Sequence, residues 1–161
     1  MITSFDDCFA RLMDSERGYS FRSNAADPGG ETMYGVTMAV ARKWGYMGAM
    51  QDMPLATAKD IARAFYWTPC HCDQLPPAIA FHVFDAVYHG GNPAQWLQRA
   101  VGVTPDGIIG PKTIEAVRSA EPSFVVLAFN RQRLDYLAKL KNWPDNARGW
   151  VNRIVRNMEV C

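Results

Sequence analysis

The sequence predicts an all-α, mainly helical fold with a short irregular or β-hairpin segment near residues 19–37. Three observations carry that prediction. Apolar residues recur at helical spacing through most of the chain. Proline and glycine stand where those runs begin and end. Strand and helix patterns do not alternate as a parallel sheet would require.

The elements follow in order. Ser4 and Asp7 form a capping-box pattern ahead of Phe5, Phe9, Leu12 and Met13, so a first helix runs to Glu16 on its last turn, with Gly18 as the stop. Between Tyr19 and Thr37 the composition changes. Asn24, Asp27-Pro28-Gly29-Gly30 and Gly35 are turn residues, and Thr32, Tyr34, Val36 and Thr37 suit extended chain. A helix is expected over Met38–Trp44, stopped by Gly45. Another starts at Thr57, carries Ile61, Ala64, Phe65 and Trp67, and ends before Pro69. Pro76-Pro77 opens a third, with Ile79, Val83, Phe84 and Val87 as its buried face and Gly90-Gly91 as its end. Asn92-Pro93 reads as a cap and first helical residue for a helix ending at Gly102. Asp106-Gly107 and Gly110-Pro111 bracket a turn that feeds a helix through Val117. Pro122 opens the longest pattern, with Leu127, Arg131, Leu134, Leu137 and Leu140 as its stripe. Asp145 or Asn146 caps a last helix carrying Trp150, Val151, Ile154, Val155 and Met158.

Composition narrows the classes. The chain has 161 residues, 48% of them apolar and 12% aromatic, which suits one packed domain with room for a small satellite and excludes a disordered tail. Seventeen Lys and Arg against sixteen Asp and Glu leave a charge of +1, too little basic excess for a partner bound through its phosphates, so no nucleic-acid partner is expected. No window reads as a membrane span. Met1 to Asp7 has neither the basic region nor the apolar run of a secretory signal, so synthesis in the cytoplasm is expected. Four cysteines, Cys8, Cys70, Cys72 and Cys161, are too sparse for a disulfide scaffold. The Cys70-His71-Cys72 spacing is not that of a zinc site, so free thiols and no metal are expected; His71, His82 and His89 add no ligand pattern.

The stretch with chemical content joins Glu16 to the loop that follows. A carboxylate at a helix C-terminus faces the negative end of the dipole, and Tyr19 and Tyr34 are aromatic neighbours able to desolvate it; both effects raise a pKa toward that of a general acid. The glycine-rich loop brings a second carboxylate, Asp27 or Glu31. Two carboxyl groups in unequal environments are the equipment of glycoside hydrolysis. On the residues alone, a solvated helix-end glutamate and an ordinary turn remain the competing reading.

The run Glu16, Gly18, Tyr19, Asp27-Pro28-Gly29-Gly30, Thr32, Tyr34-Gly35 and Thr37 resembles the signature of glycoside hydrolase family 108, the N-acetylmuramidases found as phage endolysins and prophage proteins. Arg17 and Val36 depart from it. Ala64-Phe65-Tyr66-Trp67, Cys72-Asp73-Gln74-Leu75-Pro76 and Phe84-Asp85 continue the likeness, with His89 where asparagine is common. Asp106-Gly107-Ile108-Ile109-Gly110-Pro111-Lys112-Thr113 and Gly149–Arg153 resemble the peptidoglycan-binding half that accompanies the family.

The resemblance implies a lysozyme-like fold in two parts packed as one compact unit: a catalytic region over 1–91 and a helical peptidoglycan-binding-like region over 92–161. It implies Glu16 as general acid and hydrolysis of the β-1,4 bond between N-acetylmuramic acid and N-acetylglucosamine. By a looser analogy with phage-type lysozymes, Asp27 holds the attacking water and Thr32 or Thr37 positions it; the alternative for Asp27 is a turn residue, and for Glu31 a solvated charge. Tyr19, Tyr34, Thr37 and Trp44 are candidates for a glycan cleft, while Trp67 is expected to pack in the core. Lys112, Arg118, Arg131, Arg133, Arg148, Arg153 and Arg156 make the C-terminal part basic, a possible attraction for an anionic wall. The expected partner is the glycan strand of peptidoglycan, met by a monomer that needs no cofactor and inserts in no membrane, after release through a holin-type lesion. A lytic transglycosylase, a non-catalytic wall-binding module built on Asp106–Thr113 and a structural phage component remain the rivals.

Overall fold

Pro77–His89 forms the helix around which the others gather, here α4. The computed structural model describes residues 4–15, 20–23 and 30–159. Among them, eight helices and one two-stranded hairpin follow in the order α1 (Phe5–Ser15), β1 (Thr32–Met33), β2 (Val36–Thr37), α2 (Met38–Trp44), α3 (Leu55–Ala62), α4, α5 (Pro93–Ala100), α6 (Pro111–Ser119), α7 (Pro122–Leu137) and α8 (Trp143–Met158). This is the mainly helical fold expected, with the hairpin inside the irregular segment. No described helix is long and apolar enough to cross a membrane.

Local chemistry explains most boundaries. The Asp7 amide donates to Ser4 Oγ (3.2 Å) and the Ser4 amide to Asp7 Oδ2 (3.1 Å), a reciprocal capping box that starts α1. Thr37 Oγ1 accepts from the Val40 amide at the start of α2, and Gly45, with φ of 99°, ends it. Proline occupies the first turn of α4, α5, α6, α7 and α8, where its missing N–H is not needed. Helix α3 begins at Leu55, two residues before the expected Thr57, and continues as a π-helical turn over Arg63–Trp67, closed by the Thr68 amide donating to the Arg63 carbonyl (2.9 Å). Asn92 starts α5 without a side-chain cap bond. Gly91 is required where it stands: a Cβ there would lie 2.4 Å from the Trp96 ring, and its φ is 144°.

One hydrophobic core runs through the chain from Phe5 to Phe129. Helix α1 enters it through Phe5, Cys8, Phe9, Leu12 and Met13. Trp67 packs there as expected, 3% exposed, with its Nε1 donating to Asp73 Oδ1 (2.8 Å). Cys8, Cys70 and Cys72 are free thiols. Cys161 lies outside the described residues.

Helix α4 departs from the amphipathic stripe expected of it. Every residue from Ile79 to Ala86 is buried, His82 and Asp85 included. Helices α7 and α8 supply their partners. Asn130 Nδ2 meets His82 Nδ1 (3.1 Å). Arg133 donates to Asp85 (2.7 Å), and Arg153 donates to it through Nε (2.9 Å), with its Nη2 2.7 Å away. These polar contacts set the faces of both helices and correct two expected stripes. In α7, Leu127 and Arg131 point to solvent, while Val125, Val126, Phe129, Asn130, Arg133 and Leu137 are buried. In α8, which begins at Trp143 rather than at Asp145, Val151, Val155 and Met158 are exposed and Arg153, Ile154 and Asn157 are buried. Arg133 and Arg153 therefore face an internal carboxylate and contribute nothing to a basic wall-facing surface.

Candidate active site

Of the seven residues the sequence proposes for the site, Glu16, Tyr19 and Asp27 lie outside the described residues; Thr32, Tyr34, Thr37 and Trp44 lie within them. Glu16 follows directly on Ser15, the last residue of α1. That helix is held by Leu12 and Met13, both essentially inaccessible, so its C-terminal turn has a fixed base in the core.

The hairpin is the described centre of the site. Thr32 stands opposite Thr37 and Met33 opposite Val36. Directly opposed residues of an antiparallel pair project to the same face. Met33 and Val36 are buried, which anchors one face in the core and turns both threonines to the other, where they are half-buried. Arg22 extends this small sheet: its amide donates to the Thr32 carbonyl and accepts in return through its own carbonyl, both at 2.8 Å. Thr32 and Thr37 are thus brought together. Thr37 Oγ1 is also the acceptor that caps α2 (3.4 Å). Glu31 is half-buried, and its carbonyl accepts from the Met38 amide (2.8 Å), which ties the strand entry to the start of α2.

Tyr34 and Gly35 make the turn, with φ of 53° and 77°. Two consecutive positive φ values are the geometry that matches hairpin twist, and a non-glycine residue in the left-handed region is uncommon. Tyr88 of α4 explains why the turn holds. Its hydroxyl donates to the Tyr34 carbonyl (2.8 Å), and its ring lies so close to Gly35 that a Cβ there would be 2.6 Å from Cε1. Tyr88 in turn packs on Tyr66 of the π turn (4.8 Å between ring centres). Burial pushes the hydroxyl pKa of both tyrosines up, so each stays a donor. The sequence reading did not single out Tyr88; its place near the end of a helix, among apolar neighbours, carries no signal that it reaches a turn more than fifty residues earlier.

Trp44 is not gathered to the hairpin. It ends α2, seven residues beyond the capping Thr37, about 10 Å along the helix. Its ring is 40% exposed and stands edge-on to Phe65 (5.6 Å), over which Lys43 also lies. This exposed aromatic shelf, with C–H faces of sugars as its natural complement, lies outside the threonine pair. Among the described residues, no group of three His, Cys, Asp or Glu side chains is placed to hold a metal ion.

The turn after α5 is also built around a residue the sequence reading passed over. Gln98 is buried. Its Nε2 donates to Asp106 Oδ1 (2.6 Å), the Ile108 carbonyl (3.0 Å) and Thr113 Oγ1 (3.3 Å), and its Oε1 accepts from the Gly107 amide (2.9 Å). Asp106 also accepts from the Ile108 amide. These bonds hold the Asp106 carboxyl pKa below its ordinary value.

Residues 9–91 match the family described as glycosyl hydrolase 108, and residues 92–155 match the one described as predicted peptidoglycan domain. Among solved structures, the chain is similar to SagA of Brucella abortus, at 29% identity and a TM-score of 0.83, over 96% of this chain and 93% of that one. None of the curated proteins matches it.

Proposed function

The chain belongs to the glycosyl hydrolase 108 family and joins that region to a peptidoglycan domain, and from this premise we propose that it is an N-acetylmuramidase with Glu16 as its general acid. The bond cut is the β-1,4 link from N-acetylmuramic acid to N-acetylglucosamine. Glu16 gives its proton to the glycosidic oxygen as that bond breaks. Water adds its hydroxyl to the muramic carbon and passes its other proton to a carboxylate, for which Asp27 is the candidate. Thr32 and Thr37 hold that water from the outward face of the hairpin, and Tyr34 and Tyr19 border the sugar. Trp44 offers its ring to a more distant one.

The observation that supports this reading most is the pairing of Thr32 with Thr37 on one strand register, sixteen residues and more beyond a glutamate that directly follows a core-anchored helix. The Tyr88 clamp on the hairpin turn gives those hydroxyls a fixed position, which positioning catalysis needs.

The test is turnover of purified Gram-negative peptidoglycan by the wild-type chain and by Glu16→Gln, with mass spectrometry of the products. The reading expects fragments with a reducing muramic acid end and the mass of the hydrolysed muropeptide, and a loss of about 10²–10⁴-fold in the variant. Inert wild type, a fully active variant or a product lighter by one water overturns it. A reducing glucosamine end would overturn the bond assignment.

A further inference from the structure

The part of the C-terminal half that looks most like a wall-binding motif spends much of its polar capacity on an internal network, though Asp106 and Lys112 stay exposed. Asp106 and Thr113 bond to Gln98, the Gly107 amide donates to Gln98, and the Ile108 amide donates to Asp106. The loop over 106–113 therefore works as a brace that fixes α5 against the start of α6. A ligand needs unspent donors and acceptors, and three charged side chains, unpaired among the described residues, lie together elsewhere.

They lie on another face of α5, in a cleft of about 290 Å³ between α5 and α7. Arg99 lines it from α5; Gln132, Asp135 and Tyr136 line it from α7, and Lys139 from just beyond. On α7 these positions are spaced by three, four and seven, so they form one stripe. Stripes that face each other across two packed helices are normally apolar. Here α5 and α7 make that apolar contact lower down, through Trp96 and Phe129 (5.8 Å), and the polar residues above it line an opening. The floor is ordered. Trp96 packs against Tyr136 (5.3 Å), and Gln132 Nε2 donates to the Trp96 carbonyl (2.9 Å). The side chains of Arg99, Asp135 and Lys139 make no hydrogen bond or ion pair with any described residue. Two cations and one carboxylate remain free around an aromatic floor.

That charge pattern selects among the parts of peptidoglycan. The acetylated sugars of the glycan strand are neutral. The peptide stem carries several carboxylates and, on its diamino acid, an amine, separated by short aliphatic spacers. We propose that the α5–α7 cleft binds the peptide stem of peptidoglycan, with Arg99 and Lys139 taking carboxylates, Asp135 taking the amine and Tyr136 covering the spacer. The proposal rests on peptidoglycan as the substrate; it adds which moiety this half holds, and where.

The experiment uses the full chain bearing Glu16→Gln and reads binding without turnover. Two probes are titrated in turn: a stem tetrapeptide containing free meso-diaminopimelate, and an uncharged oligomer of N-acetylglucosamine. The expected result is that the tetrapeptide shifts the backbone amide signals of Arg99, Asp135 and Tyr136 and that the oligosaccharide leaves them in place. Arg99→Gln with Lys139→Gln, and separately Asp135→Asn, each weaken the tetrapeptide about tenfold or more while the melting temperature holds, since all three side chains are exposed. Binding also weakens as salt rises toward 0.2 M. Tetrapeptide binding that the variants do not change, absence of those shifts, or oligosaccharide shifts at the same residues overturns the proposal. Failure of the muramidase reading shows instead as missing turnover by the wild type, so the two failures are distinguishable.

Discussion

Replacing Asp85 with alanine strands two guanidiniums inside the protein. The Asp85 carboxylate is 0% exposed and receives Arg133 at 2.7 Å and Arg153 at 2.7 and 2.9 Å; the two arginines are themselves 1% and 6% exposed. Removing one member of a buried ion group costs about 3–5 kcal/mol, because the remaining charges lose their compensation while staying out of water. Here two charges are left. A domain of this length unfolds with an entropy of roughly 0.34 kcal/mol per kelvin, so a loss of that size lowers the melting temperature by about 9–15 °C. It also consumes a fifth or more of a total stability of about 5–15 kcal/mol. Calorimetry and urea unfolding measure both quantities. A second variant isolates the cause: Asp85→Leu combined with Arg133→Met and Arg153→Met removes charge and partners together, and is expected to recover most of the loss. A drop of less than about 3 °C for Asp85→Ala would refute the reasoning. So would a triple variant as unstable as the single one, since stranded charge would then not be the origin.

Two other perturbations test the packing around this centre and the hairpin. Burial, then the nearby Arg133 charge, pushes the His82 pKa down to about 3 and the His89 pKa down to about 4, from 6.5. The unfolded chain thus binds protons below pH 6.5 that the folded chain refuses, so stability is full above that value and falls as pH drops toward 4. His82 alone accounts for about 2 kcal/mol between pH 8 and pH 5, with a smaller part from half-buried His89. Urea midpoints that stay level or rise on acidification would contradict this. Gly35→Ala forces a Cβ to φ of 77° and to 2.6 Å from the Tyr88 ring, and is expected to cost about 2–3 kcal/mol and to displace the paired threonines. Thermal unfolding and peptidoglycan turnover measured side by side check it, with wild-type values in both as the refuting result.

How far the sequence reveals the molecule depends on how local each determinant is. Caps and breakers act within a few residues, so Ser4 with Asp7, Thr37 with Gly45, and Pro77 through Gly90 mark their helices from the sequence alone. Gly35 as a turn residue is equally local, but Tyr34, expected in extended chain, takes the first turn position with φ of 53°, held there by the distant Tyr88. The buried faces of α7 and α8 are not local. Arg133 reads as part of a basic surface because hydropathy scores a side chain by itself, whereas its burial, like that of Asn130 beside His82, depends on a residue 48 positions earlier, Asp85. Gln98 escapes for the same reason: a buried glutamine is tolerated only because four groups of a later loop meet it. In the site, the nearness of Thr32 and Thr37 follows from the hairpin, but the separation of Trp44 needs the length of α2, and the Tyr88 clamp needs the tertiary fold.

The two matched regions meet at residues 91 and 92, yet the physical joins run across that point. Helix α4 belongs to the first region, and its buried polar groups are completed by α7 and α8 of the second. Arg11 of α1 reaches the last turn of α8, donating to the Arg156 carbonyl (3.0 Å) beside Glu159 (3.8 Å). Arg118 of α6 donates to the Gln74 carbonyl (3.0 Å). The helix that leads into Glu16 is therefore braced by the half that carries the α5–α7 cleft. A binding module on a flexible tether raises local concentration and leaves the cut position free. A cleft fixed to the same core would act differently if it binds the stem as proposed: a stem held between Arg99, Asp135 and Lys139 would set where its own strand meets the catalytic region. Stem recognition here would choose which glycosidic bond is cut, and stem-free glycan would be cut without that register.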